Sequence, residues 1–151
     1  MGPLDAYIPL DRRRAIASGE ILPDRTQGAV LFADISGFTP LTEALVATFN
    51  PKRGAEELTR QLNLIYDALV TEVQRYGGSV LAFSGDAITC WFDGDDGRRG
   101  TTCALAMQQA MGAFPPVQTP DGNEMTIRIK SGVTAGPARS GSGLRWRGRG
   151  C

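Results

Sequence analysis

Between Ala55 and Tyr76 the apolar residues Leu58, Leu62, Ile65, Leu69 and Val73 recur at steps of four, three, four and four. That spacing puts them on one stripe of a helix about six turns long, which must be covered along its length. Gly77-Gly78 stops the helix, and two short β-like runs follow at once, Ser79–Phe83 and Ala87–Phe92. A long amphipathic helix feeding a hairpin forces a layered fold, with the stripe laid on a sheet. Ser84-Gly85-Asp86 between the two runs is a tight turn signal.

The flanking segments extend the layer. Gly28–Ile35 is a buried-strand run that contains an acid near its C-terminal end, Asp34. Ser36-Gly37 turns the chain into a helix over Phe38–Phe49, with Thr39 as expected N-cap and Pro40 as first helical residue. Pro51–Gly54 is read as a break. Asp93–Gly100 is an acidic loop, taken as a solvated turn because its spacing misses a calcium loop. Thr101–Phe114 is a third helix, with Ala104, Leu105, Ala110 and Met111 expected on one side and Met107 and Met111 as core. Pro115–Asn123 is a loop and Met125–Thr134 alternates as a strand. The order β-α-α-β-β-α-β predicts an α/β fold, an α+β sandwich of the ferredoxin-like kind.

Residues 1–26 read as a loosely packed leader, with Pro3, Pro9, Pro23 and the solvated cluster Arg12-Arg13-Arg14. Residues 137–151 read as an irregular Gly/Arg-rich tail. It is either a basic arm for RNA or the product of a reading-frame error, and the second is preferred because the preceding strand lacks a following partner. Outside that tail no basic face suggests nucleic acid. No run approaches a membrane span and the start is not a secretory signal, so a cytoplasmic protein is expected.

Composition narrows the chemistry. There is no histidine, which removes Ser-His and Cys-His nucleophiles, histidine bases and histidine metal ligands together. The three cysteines have no close pairing, and Cys90 and Cys103 read as small buried hydrophobes. Trp91 and Phe92 are assigned to the strand core over a nucleotide pocket. Two acids remain, Asp34 at a strand end and Asp86 at a hairpin tip, both in apolar runs where an unpaired carboxylate is costly. Hard oxygen donors select Mg²⁺ or Mn²⁺, which take their other ligands from water and substrate phosphates. The Ile35–Thr39 turn opens a helix whose free amides attract anions. An aspartyl nucleophile at Asp34 is disfavoured, because the second acid such enzymes carry two residues on is replaced by Ser36.

At Leu31–Leu45 (LFADISGFTPLTEAL) and Gly77–Phe92 (GGSVLAFSGDAITCWF) the sequence resembles the class III adenylate/guanylate cyclase catalytic domain. The resemblance is to the soluble adenylyl cyclase type and its bacterial multidomain relatives, and it covers about residues 28–136. It implies a partial nucleotidyl cyclase domain over 27–136, truncated at its C-terminal part. It implies Asp34, Asp86 and the Ile35 carbonyl as ligands of two Mg²⁺ or Mn²⁺ ions. The amides of Gly37, Phe38 and Thr39 would meet the β- and γ-phosphates of ATP, with GTP less favoured. In many relatives a lysine four residues before the second aspartate contacts the base, whereas this chain has Ala82, with Leu81 and Phe83 no substitute. The family's transition-state asparagine and arginine have no match in residues 136–151. The resemblance thus implies the metal-donating half of a shared site, inactive alone and completed by a second cyclase domain. The alternative is a degenerate, non-catalytic cyclase homology module.

Overall fold

The computed structural model describes residue 13 and residues 17–19, 25–119 and 121–139. The strands are β1 (Arg25–Ser36), β2 (Ser79–Ser84), β3 (Ala87–Asp93), β4 (Val117–Gln118), β5 (Glu124–Met125) and β6 (Arg128–Arg139). The helices are α1 (Phe38–Thr48), α2 (Pro51–Arg75) and α3 (Arg98–Gly112). Four strands form one antiparallel sheet in the order β2-β3-β1-β6, and β4 and β5 form a separate two-stranded ribbon. The β-α-α-β-β-α-β order and the sandwich layering match the sequence expectation, with the ribbon inserted in the expected Pro115–Asn123 loop and just after it.

One face of the sheet carries the helices. Along β1 the buried residues Ala29, Leu31, Ala33 and Ile35 alternate with more exposed neighbours, and they meet Leu41, Leu45, Ile65, Leu69, Val73 and Met107 in one core. Burying a side chain of this size stabilises by roughly 1.5–3 kcal/mol, so the alternation fixes which face turns inward. Phe92, Cys90 and Cys103 are fully buried there, and burial pushes both thiols up to about 12. Trp91 is also buried, but on the opposite face, where its indole leaves no room for a side chain at Gly28.

Several local expectations change. Thr39 is not the cap of α1; Gly37 is, in a left-handed conformation, so the helix starts before the Thr-Pro pair. Pro51–Gly54 is not a break but the first turn of α2, because the Asn50 side chain accepts the Arg53 amide at 2.9 Å and Pro51 starts the helix without needing an N–H. Gly54 lets α1 pass close, since a Cβ there would lie 3.2 Å from the Leu45 carbonyl. At the other end Gly78 donates to the Val73 carbonyl and Gly77 to that of Gln74, a Schellman motif that ends α2 as the double glycine suggests.

Helix α3 begins at Arg98, and Leu105 is exposed, while Cys103, Ala104, Met107 and Met111 face the core. Strand β1 begins at Arg25, two residues before the expected domain edge. Strand β6 runs to Arg139, past Gly136, because its ladder with β1 continues to the pair Arg25↔Arg139. Apart from residues 13 and 17–19, the remainder of the leader and tail expectations lies outside the described residues. Among the described residues no helix is long and apolar enough to cross a membrane.

Candidate functional site

Two strand ends meet at one corner of the sheet. Strands β1 and β3 pair so that Asp34 lies opposite Ala87, the residue after Asp86. The Ile35 amide donates to the Asp86 carbonyl at 2.8 Å, which locks the backbones of the two acidic positions together. Between β2 and β3 only Gly85 and Asp86 lie outside the ladder, with Gly85 at φ 62° and no positive φ at Asp86. That pattern fits a type II′ hairpin turn, which requires glycine at its first central position.

Asp34 alternates with buried Ala33 and Ile35, so it sits on the sheet face away from the helices, partly exposed, as Asp86 is too. This corrects the expectation of an acid embedded in apolar surroundings: the run is apolar, but the pleat turns its carboxylate outward. Neither carboxylate has a hydrogen-bond or ion-pair partner among the described residues. Those residues also hold no cluster of three or more acidic, cysteine or histidine side chains able to hold a metal. Two free carboxylates plus a backbone carbonyl still fit Mg²⁺ or Mn²⁺, which usually bind one or two protein carboxylates and fill the shell with water and phosphate oxygens.

Helix α1 opens beside this pair. Gly37 holds φ 92°, ψ 2°, and a Cβ there would come within 3.1 Å of the Thr126 carbonyl, so the junction is built for glycine. No side chain caps the helix. Leu41 already donates to the Gly37 carbonyl at 3.4 Å and Pro40 has no N–H. The uncapped donors at this end are therefore the amides of Phe38 and Thr39, next to the acids.

Three residues passed over in the sequence also belong to this corner. Lys130 is the cross-strand partner of Asp34, and Arg128 that of Ser36, so both cations share the outward face with the acid. The Ser36 hydroxyl donates to the Arg128 carbonyl at 3.2 Å. The period of two between Arg128 and Lys130 is visible in the sequence, but the register that sets them opposite β1 is not. Tyr66 of α2 donates its hydroxyl to the Gly85 carbonyl at 2.7 Å and stands edge-on to Phe83, ring centroids 4.8 Å apart. Its phenol is held above its ordinary value by burial first, then by the negative fields of Asp86 and Asp34. Ala82 lies opposite Thr89 and is exposed.

A cleft lies elsewhere, between the start of α3 and β6, lined by Asp96, Arg98, Thr101, Thr102 and Val133 among others. None of the sequence-derived site residues reaches it.

The fold is that of class III adenylyl and guanylyl cyclase domains, and the sequence is similar to that of adenylate cyclases. More particularly, it is 31% identical over 129 residues to adenylate cyclase type 10 of Rattus norvegicus, a match covering 80% of this chain and 8% of that protein. The chain thus spans under a tenth of the length of the curated relatives it matches first. Among solved structures, a bacterial light-regulated adenylyl cyclase superposes with TM-score 0.70 at 19% identity, over 89% of this chain and 39% of its own. The dimeric guanylyl cyclase domain of the RhoGC fusion protein from the aquatic fungus Blastocladiella emersonii gives TM-score 0.58 at 22% identity, over 79% and 63%. No family model matches the chain.

Proposed function

We propose that this chain supplies the metal- and triphosphate-binding side of a nucleotidyl cyclase centre that makes 3′,5′-cyclic AMP and pyrophosphate from ATP, for intracellular signalling. The observation that carries it is the Ile35–Asp86 backbone hydrogen bond, which sets Asp34 and Asp86 side by side at the open N-terminus of α1. Asp34, Asp86 and the Ile35 carbonyl would hold two ions. Bound Mg²⁺ or Mn²⁺ would supply Lewis-acid stabilisation of the reacting oxygens. The amides of Gly37, Phe38 and Thr39 orient the β- and γ-phosphates, and Arg128 and Lys130 add positive charge on the same face. The ribose 3′-hydroxyl then attacks the α-phosphorus and pyrophosphate leaves. Adenine is preferred to guanine because the sequence relatives are adenylate cyclases. A second cyclase domain is assigned the remaining contacts, as the dimeric state of the fungal guanylyl cyclase domain suggests.

One observation favours a second reading. Exposed Ala82 offers a base only a methyl group, which suits a non-catalytic module that binds nucleotide and regulates a partner. Calorimetric titration with Mn²⁺ and ATP tests the metal site common to both. Binding that needs Mn²⁺ and disappears in Asp34→Ala and in Asp86→Ala supports the site. Unchanged binding in both variants would remove it. Turnover on mixing with a complementary cyclase domain separates catalysis from regulation.

A further inference from the structure

The turn that carries Asp86 is short and protrudes from the sheet, yet a metal ligand has to be held still. The ladder fixes one side of it, through Ile35 and the Asp86 carbonyl. The other side is fixed from α2. Tyr66 is one residue from the buried helix stripe at Ile65 and reaches the turn from the helix layer. Its hydroxyl donates to the carbonyl of Gly85, the residue before Asp86, at 2.7 Å. Its ring packs edge-on against Phe83, three residues before Asp86 on β2, at 4.8 Å and an interplanar angle of 71°. Phe83 is half exposed, and the Tyr66 ring covers part of it.

We propose that Tyr66 is a positioning residue for the metal site: it clamps the β2–β3 turn through the Gly85 carbonyl and Phe83, and so sets where the Asp86 carboxylate points. It touches neither metal nor nucleotide. The inference rests on Asp34 and Asp86 being metal ligands, and its test separates the two claims.

The physical basis is that a ligand's affinity depends on how little freedom it loses on binding. A type II′ turn with glycine at its first position leaves the Gly85–Asp86 peptide free to rotate. The phenol hydrogen bond pins that peptide's carbonyl, and with it the backbone from which Asp86 projects. Supporting contacts of this kind cost roughly tenfold or more in metal affinity when removed from metal sites. An indirect contact through the backbone falls at the low end of that range.

The test uses the whole 151-residue chain and Mn²⁺ alone as probe, with affinity from titration and folding from the melting temperature. Three variants are compared with the parent. Asp86→Asn removes a ligand, Tyr66→Phe removes only the hydroxyl, and Tyr66→Leu removes hydroxyl and ring. Expected is loss of Mn²⁺ binding in Asp86→Asn. In Tyr66→Phe the dissociation constant rises about five- to tenfold, the factor one net hydrogen bond and a supporting contact carry, with nearly unchanged melting. Tyr66→Leu weakens binding further and also lowers melting. If Asp86→Asn loses Mn²⁺ while Tyr66→Phe binds it like the parent, the clamp is wrong and the metal site stands. If Tyr66→Phe lowers melting as much as Tyr66→Leu, the tyrosine is a packing residue and the proposal falls. If Asp86→Asn binds normally, the metal site and the clamp fall together.

Discussion

The molecule makes the same strand-to-helix junction twice. At the end of β1, Gly37 with φ 92° and ψ 2° starts α1; after β3, Gly97 with φ 104° and ψ −13° starts α3. Both glycines sit in the left-handed region, and neither helix has a side-chain cap at its N-cap residue. The difference is what fills the helix end. Ahead of α3, the Asp95 carboxylate accepts the Arg99 amide at 3.0 Å and the Gly100 amide at 2.8 Å. The positive end of that helix is satisfied by the chain itself, and Asp96 adds a contact to the Arg98 amide at 3.2 Å. Ahead of α1 the acids are on neighbouring turns and strands instead, and the amides stay open beside them. The amides are left without a side-chain partner at the first junction and are taken up by Asp95 at the second, although the two glycines have nearly the same backbone.

The sharpest way to break this comparison is to delete an acid at each end. Asp86→Ala is expected to abolish Mn²⁺-dependent ATP binding, whereas Asp95→Ala keeps it and loses about 1 kcal/mol of stability, the usual cost of a lost helix cap. Equal loss of nucleotide binding in both, read by titration, would erase the distinction.

The glycines come next. Gly37→Ala and Gly97→Ala each force an alanine into left-handed backbone, at about 1–2 kcal/mol. Gly37→Ala adds a close approach to the Thr126 carbonyl, while a Cβ at Gly97 meets only ordinary contact with Ala135 at 3.6 Å. Gly37→Ala is therefore the more destabilising in urea titration, and of the two only it weakens ATP binding.

The smallest effect is in acid. At Asp95 burial works to raise the pKa, but the amides of Gly100 and Arg99 together outweigh it and hold the carboxyl below its usual 3.8. A depressed folded pKa contributes stability above the unfolded value and loses it as pH falls through the folded one. Asp95→Asn should flatten the fall in melting temperature below about pH 4, the unfolded carboxylate range, and leave the curve at pH 7 to 8 parallel to the parent's. An unchanged acid limb would mean that Asp95 does not cap α3.

Much of this was legible in residue order. The four-three-four-four spacing from Leu58 to Val73 gave α2, and Gly77-Gly78 gave its end, because both signals are local. The Asp34 and Asp86 segments could be singled out for the same reason: an acid in an apolar run, and a Ser-Gly-Asp turn, each break a pattern within a few residues. Helix starts were harder. Thr39-Pro40 and Asn50-Pro51 are both cap-plus-proline signals, but only the second begins a helix, because Gly37 had already turned the chain at the first. Leu105 shows the limit of a short helix pattern, since its face was decided by packing on β1, β6 and α2.

What the sequence alone determined was which residues could do the chemistry: with no histidine, two aspartates and the amides at the start of the helix after Ser36-Gly37 were the remaining candidates. What only the tertiary structure decided was their company. The pleat that turns Asp34 away from the core, the β1–β6 register that brings Lys130 opposite it, and the reach of Tyr66 across 19 positions to Gly85 all depend on pairings between distant segments. Strand register and side-chain direction follow from how whole elements bury their apolar faces against one another, and that sum is not written in any short stretch of the chain.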